Sequence, residues 1–251
     1  MPRLVQITDC HLVADPAADG GRALRQLRAV VAAVNRERPD RVLVTGDITD
    51  DETAASYQLA VATLDELAAP WFWLPGNHDD VALMAENREL LDELDLDLDL
   101  DLDLDGWRVL LLDTHVNGQP HGELGFRKLT HLAERLERNP RPTLVAMHHP
   151  PLPVGSAWID AIGLVDREAF WQTLAPFGQV RAILCGHIHQ AFASRQCLAA
   201  GEVMVYGCPA TSNQFLPRAE HFAIDEAALP GYRVVELSAD GLATRVERIN
   251  Q

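Results

Sequence analysis

The 251-residue chain has no apolar run near the ~20 residues that a membrane helix requires, so a spanning segment is not expected. Its first residues, MPRLVQITD, lack the charged start and long apolar stretch of a secretory signal. Cysteine is scarce. Cys10, Cys185, Cys197 and Cys208 form no CxxC pair and no disulfide-dense pattern. Each is expected to be a small buried hydrophobe in a reducing, cytoplasmic protein. A Lys/Arg stripe is also missing. With 21 basic against 37 acidic residues, the net charge of −16 argues against nucleic acid or an anionic membrane as partner.

Half of that charge is local. Residues 92–105 hold eight acids and no bases, in strict Leu/Asp alternation. The alternation has the period of a strand with one apolar and one acidic face. A solvated edge strand or an expanded loop explains it better than a calcium site, whose ligands must converge from a turn. Elsewhere the composition is ordinary: 47% hydrophobic and 23% charged residues, enough for a sizeable core.

Runs rich in Val, Ile and Leu alternate with helical patterns. Strands are predicted at 3–7, 41–45, 71–74, 107–113, 143–147 and 181–185, and helices at 23–37, 52–67, 127–138 and 166–175. After 200 the character changes. Residues 202–207, 231–238 and 242–249 read as strands with no helix between them. Parallel βαβ units followed by antiparallel pairs predict one α/β domain over 1–251, with no linker and no domain-sized repeat.

Five of the early apolar runs end at once in Asp, Asn or His. Residues 3–7 lead to Asp9 and His11, 41–45 to Asp47 and Asp50, and 71–74 to Asn77 and His78, with Asp79 and Asp80 following. Residues 143–147 lead to His148 and His149, and 181–185 to His187 and His189. Singly, each has a plain reading as an Asx turn, a helix cap or a polar loop. Jointly they would converge, because the carboxyl ends of strands form the crevice of an open α/β sheet. Carboxylate, imidazole and amide without thiolate suit Mn, Fe or Zn, and the set is too large for one ion. Two ions can clamp the attacking and leaving oxygens of a phosphoryl transfer and generate a hydroxide nucleophile.

The order DxH, GDxxD, GNHD, HxP, GHxH over residues 9–189 resembles the calcineurin-like metallophosphoesterases. The stretches 113–124, 148–160, 184–190 and 212–241 further resemble the bacterial class III 3′,5′-cyclic-AMP phosphodiesterases. The resemblance implies a four-layer α/β/β/α sandwich with two mixed sheets and a dimetal site at the strand carboxyl ends. It assigns one metal to Asp9, His11, Asp47 and His189, and the other to Asp47, Asn77, His148 and His187, with Asp47 bridging. It makes His78 a catalytic contact to the phosphate or the leaving oxygen, with Asp50 orienting it. Asn77, His78 and His149 are the expected substrate contacts. Iron or manganese, with zinc as a further choice, would fill the site.

The implied reaction is hydrolysis of cyclic AMP, or another cyclic nucleotide, to the 5′-monophosphate by a metal-bridging hydroxide. The alternatives are hydrolysis of another phosphodiester or pyrophosphate, and a non-catalytic cyclic-nucleotide-binding module. The complete ligand set speaks against the module. A small cyclic nucleotide is the expected partner, and a homodimer is compatible with the sequence. The departures from the family are Cys10 between two ligands, which raises the question of redox sensitivity, a short loop at 13–22, and the Asp/Leu run.

Overall fold

The computed structural model describes residues 1–88 and 106–250. The Asp/Leu run at 92–105 lies outside the described residues. In chain order the elements are β1 (Arg3–Ile7), α1 (Arg22–Glu37), β2 (Arg41–Thr45), α2 (Ala54–Leu64), β3 (Trp71–Leu74), α3 (Val81–Asn87) and β4 (Arg108–Leu112). There follow α4 (Gly125–Arg138), β5 (Thr143–Met147), α5 (Ala157–Asp160), α6 (Arg167–Leu174) and β6 (Val180–Cys185). The chain closes with β7 (Phe192–Leu198), β8 (Gly201–Gly207), β9 (Gly231–Ser238) and β10 (Gly241–Arg248).

The strands build two five-stranded mixed sheets, ordered β10-β9-β1-β2-β3 and β4-β5-β6-β8-β7. In the first, β1, β2 and β3 are parallel, and β9 and β10 add antiparallel strands at one side. In the second, β4, β5, β6 and β8 are parallel, with β7 antiparallel at the edge.

The apolar runs have no polar alternation because the central strands are buried on both faces. Leu4, Leu43, Leu144, Ala146 and Leu184 point into an apolar layer between the two sheets, together with Val235 and Leu237. Their neighbours Val5, Ile7, Val42 and Val44 point the other way, against Leu27, Val30 and Val34 of α1 and Tyr57 and Leu64 of α2. On the far side Val145, Met147 and Ile183 meet Leu129, Leu132 and Leu136 of α4 and Phe170 of α6. Three apolar layers separate four structural ones, which is the α/β/β/α sandwich implied by the family resemblance.

The sequence reading missed α3, which Asp80 caps by accepting from Leu83 N–H, and β7, whose half-exposed alternation gives no continuous apolar run. That edge strand also corrects the expectation for Cys197. Its thiol is exposed, whereas Cys10, Cys185 and Cys208 are buried. Burial pushes the Cys10 thiol up to about 12, so the residue between Asp9 and His11 behaves as an inert packing group. No helix among the described residues is long and apolar enough to cross a membrane.

Candidate metal centre

The turns after β1, β2, β3, β5 and β6 meet at the carboxyl edge of the two sheets. Local backbone geometry carries the convergence. Asp9, His11, Asp47, His187 and His189 all have positive φ, between 47° and 67°. Left-handed backbone at non-glycine residues is strained and persists where the surroundings dictate it. Each turn folds back sharply enough to aim its side chain across the sheet edge instead of along the strand. Two glycines permit the close approach. A Cβ on Gly76 would strike Asp47 Oδ1, and one on Gly46 (φ +90°) would strike His148 Nδ1.

Two overlapping groups result. In the first, His189 Nε2 lies 3.2 Å from Asp9 Oδ1 and 3.2 Å from His11 Nε2. His11 Nε2 is 3.6 Å from Asp47 Oδ2. One ligand atom from each of Asp9, His11, Asp47 and His189 falls within 4.8 Å of every other. In the second, His148 Nε2 lies 3.3 Å from Asp47 Oδ1 and 3.2 Å from Asn77 Oδ1. The His148 and His187 rings stand 5.1 Å apart. The Asp47 carboxylate thus turns one oxygen to each group.

The rings are held from behind. His148 Nδ1 is 2.8 Å from Thr45 O, His189 Nδ1 is 2.6 Å from Asn213 O, and His11 Nδ1 is 3.2 Å from Asp50 Oδ1. A carbonyl or carboxylate behind Nδ1 fixes that nitrogen as the donor and leaves Nε2 facing the centre. Asp9 accepts from His187 N–H at 3.1 Å, and Asp47 accepts from His78 N–H at 2.9 Å.

The ionisation pattern is uneven. Burial would raise Asp47, but the His148 charge and hydrogen bond hold it well below the usual carboxylate range. Burial would lower His148, but the Asp47 charge brings it up to about 9. Burial also opposes the ionisation of Asp9, and the facing His189 overcomes it, leaving Asp9 lowered. Burial and the charge of His148 push His187 down to about 3. The Nε2 atom of that neutral ring is buried without a hydrogen-bond partner. Unpartnered buried nitrogens are uncommon. A bare imidazole nitrogen beside the His148 ring, which itself meets Asp47 and Asn77, is what a borderline divalent cation takes as ligand. The residues therefore fit two metal ions.

His78 stands on the open side. Its Nδ1 is 3.4 Å from Asp50 Oδ1, and both side chains are about half exposed. Asp50 is the residue expected to orient His78. The structure shares the same carboxylate oxygen with His11, so one acid braces a group of the buried cluster and one at its mouth. His149 differs from expectation. It is fully buried, with Nδ1 2.8 Å from Thr114 Oγ1 and its ring 4.8 Å from His187. One ring nitrogen from each of His148, His149 and His187 lies within 4.8 Å of the others, so His149 stands against the second group.

Asp79, in the same GNHD motif, was given no role. It is buried and accepts from Gly76 N–H at 2.9 Å, Ile48 N–H at 3.1 Å, Thr49 N–H at 3.3 Å and the Tyr57 hydroxyl at 3.0 Å. It ties the β2 and β3 turns together. Burial and nearby Asp47 push its carboxyl up to about 6. His115 was also missed. Its Nδ1 is 2.8 Å from Gly76 O, beside Asn77.

Residues 2–191 match the calcineurin-like phosphoesterase family. The 3′,5′-cyclic adenosine monophosphate phosphodiesterase CpdA of Vibrio vulnificus is 38% identical, the alignment covering 98% of this chain and 90% of that protein. The protein of the same name from Haemophilus influenzae is 39% identical, with 99% and 90% covered. The crystal structure of a dimetal phosphatase from Danio rerio superposes with a TM-score of 0.70 at 16% identity, covering 99% of each chain, and so shares the fold.

Proposed function

The chain belongs to the calcineurin-like phosphoesterase family, and on that premise we propose that it hydrolyses 3′,5′-cyclic AMP to 5′-AMP with two divalent metals. The observation that carries the reading is the division of the Asp47 carboxylate, with Oδ2 toward His11 and Oδ1 toward His148. A shared carboxylate at the meeting point of two N/O donor sets suits a dinuclear centre. The relatives named as cyclic-AMP phosphodiesterases, aligned over nearly the whole chain, supply the substrate.

In this reading Asp9, His11, Asp47 and His189 hold one ion, and Asp47, Asn77, His148 and His187 hold the other. Iron and manganese are the first choices by family resemblance, and zinc accepts the same N/O donor set. Such ions, when bound, supply Lewis-acid charge for the phosphate oxygens and lower the pKa of water. The protein does the rest. The Nδ1 partners fix the three rings His11, His148 and His189 before substrate arrives, so no reorganisation is needed during reaction. Asn77 holds the phosphate beside the centre. His78, at the open mouth, donates a proton to the departing 3′ oxygen, and Asp50 positions its ring through Nδ1.

The test is turnover by the Mn²⁺-supplemented protein on cyclic AMP, cyclic GMP, 2′,3′-cyclic AMP, glycerophosphocholine and bis-p-nitrophenyl phosphate. The highest kcat/KM among the natural diesters is expected for cyclic AMP. A higher value for glycerophosphocholine or 2′,3′-cyclic AMP would reassign the substrate.

A further inference from the structure

A cleft of about 460 Å³ opens from His11, His78 and His189 and runs to the N-terminal half of α1. One end is the imidazole cluster. Beside it the wall is apolar, formed by Phe215, Phe222 and Ile224 from the segment after β8. Phe215 is fixed, stacked on His189 with ring centroids 3.8 Å apart and planes at 10°. Phe222 meets it edge-on at 5.4 Å and is still 61% exposed. An aromatic face left open in a cleft is a stacking platform for a planar ring, and a phenyl ring accepts any base.

The polar exception is Gln26. It sits among the buried residues of α1, with Leu24, Leu27, Val30 and Val34 among its apolar neighbours on the helix, and is only 3% exposed. Its side-chain amide makes no hydrogen bond to the described residues, although it lines the cleft. The amide is not sealed from solvent, so its donor and its acceptor are both free for a ligand in the cleft. Asn213 lines the same cleft, and its Oδ1 is buried and unpartnered. The cleft thus joins a polar imidazole group to an aromatic wall, with two amide side chains also lining it. A mononucleotide has the same layout, with phosphate and base at opposite sides of the ribose.

We propose that this cleft is the base subsite, with Phe222 stacking on the purine and Gln26 reading its edge. The inference rests on the cyclic-nucleotide reading above and deepens it. An amide offers one donor and one acceptor side by side. Adenine answers with an amino group and a ring nitrogen lone pair. A carboxylate at the same place would accept only. It would face the adenine lone pair unfavourably, yet take both the N1–H and the amino group of guanine.

The experiment compares wild type, Gln26→Leu and Gln26→Glu, loaded with Mn²⁺, on cyclic AMP, cyclic GMP and bis-p-nitrophenyl phosphate, which has no base. Gln26→Leu should raise KM for cyclic AMP and lower the cyclic AMP to bis-p-nitrophenyl phosphate ratio of kcat/KM by roughly tenfold or more. Gln26→Glu should move the cyclic AMP to cyclic GMP ratio toward guanine by about tenfold. Ratios within one variant are independent of the fraction folded, so partial misfolding leaves the test intact. Wild-type turnover of cyclic AMP with an unmoved adenine to guanine ratio in Gln26→Glu would overturn the base subsite alone. Wild-type turnover of bis-p-nitrophenyl phosphate with neither cyclic nucleotide hydrolysed would overturn the functional reading, and the subsite with it.

Discussion

The hydroxyl of Tyr57 on α2 donates to Asp79 Oδ1 at 3.0 Å, and the hydroxyl oxygen itself accepts from Asp80 N–H at 2.7 Å. A buried phenol thus completes the shell of the carboxylate that ties the β2 turn to the β3 turn. Tyr57→Phe leaves the Asp80 N–H without its acceptor, at about 1–3 kcal/mol, and takes one donor from an Asp79 oxygen that keeps Ile48 and Thr49 N–H. Urea denaturation should show a loss of that order, and metal affinity should fall because Asp47 and Asn77 sit on the two turns. A variant of unchanged stability and metal affinity would show that the hydroxyl is dispensable.

The division of Asp47 between two donor groups predicts unequal effects of ligand loss. Asp47→Asn should weaken both ions, whereas His11→Ala should chiefly weaken the one it shares with Asp9 and His189. Elemental analysis after gel filtration distinguishes the two outcomes. A fully loaded and fully active Asp47→Asn protein would remove Asp47 from the bridging position.

His148 makes metal uptake depend on pH. In the metal-free protein its pKa is raised above the ordinary histidine value to about 9 by Asp47, so the ring carries a proton at pH 7. Ligation through Nε2 must displace that proton. His187, held down at about 3, has none to release. Apparent Mn²⁺ affinity should therefore rise with pH up to about 9 and then level off. Titration calorimetry in buffers of different ionisation enthalpy should show proton release near neutrality. Affinity independent of pH between 6.5 and 8.5 would place His148 outside the ligand set.

Metal removal should also cost stability, because the proposed ligands come from strands of both sheets. A ligand at 100 times its dissociation constant adds about 2.7 kcal/mol. For a chain of this length that corresponds to roughly 5–11 °C in Tm. Differential scanning calorimetry with and without a chelator measures the shift. An unchanged Tm after verified metal loss would show that the centre does not clamp the sheets.

Much of this centre was legible because its residues follow directly on strands. Asp9, Asp47, Asn77, His148 and His187 are each one to three residues past an apolar run, and a parallel strand fixes where its end lies. The supporting groups were not legible for the opposite reason. Tyr57 lies mid-helix with no local signal, and Asn213 contributes a carbonyl that any residue carries. Asp79 stands in a motif where three neighbours look equally suited, and only the fold shows that it faces Ile48 and Gly76. Two stacked sheets were likewise absent from the strand pattern, because a strand buried on both faces reads the same whether helices or another sheet cover it. Resemblance to the family supplied that layer.

His78 carries the most specific chemical prediction. The 3′ oxygen of the sugar leaves as a poor alkoxide unless it receives a proton during bond cleavage. In its protonated form His78 would donate one ring N–H to Asp50, 3.4 Å from Nδ1, and the other to that oxygen. It is half exposed, so solvent can restore the proton after each turnover. General acid catalysis is typically worth ~10²–10⁴-fold, and His78→Ala should lose about that factor in kcat on cyclic AMP. Bis-p-nitrophenyl phosphate releases a nitrophenolate that needs no proton, so its loss should be far smaller. Asp50→Asn should show a weaker asymmetry on top of a loss common to both substrates, because its carboxylate braces His11 as well as His78. Equal losses on the two substrates would mean that His78 stabilises phosphoryl charge or positions the diester, and the proton-donor role would have to be abandoned.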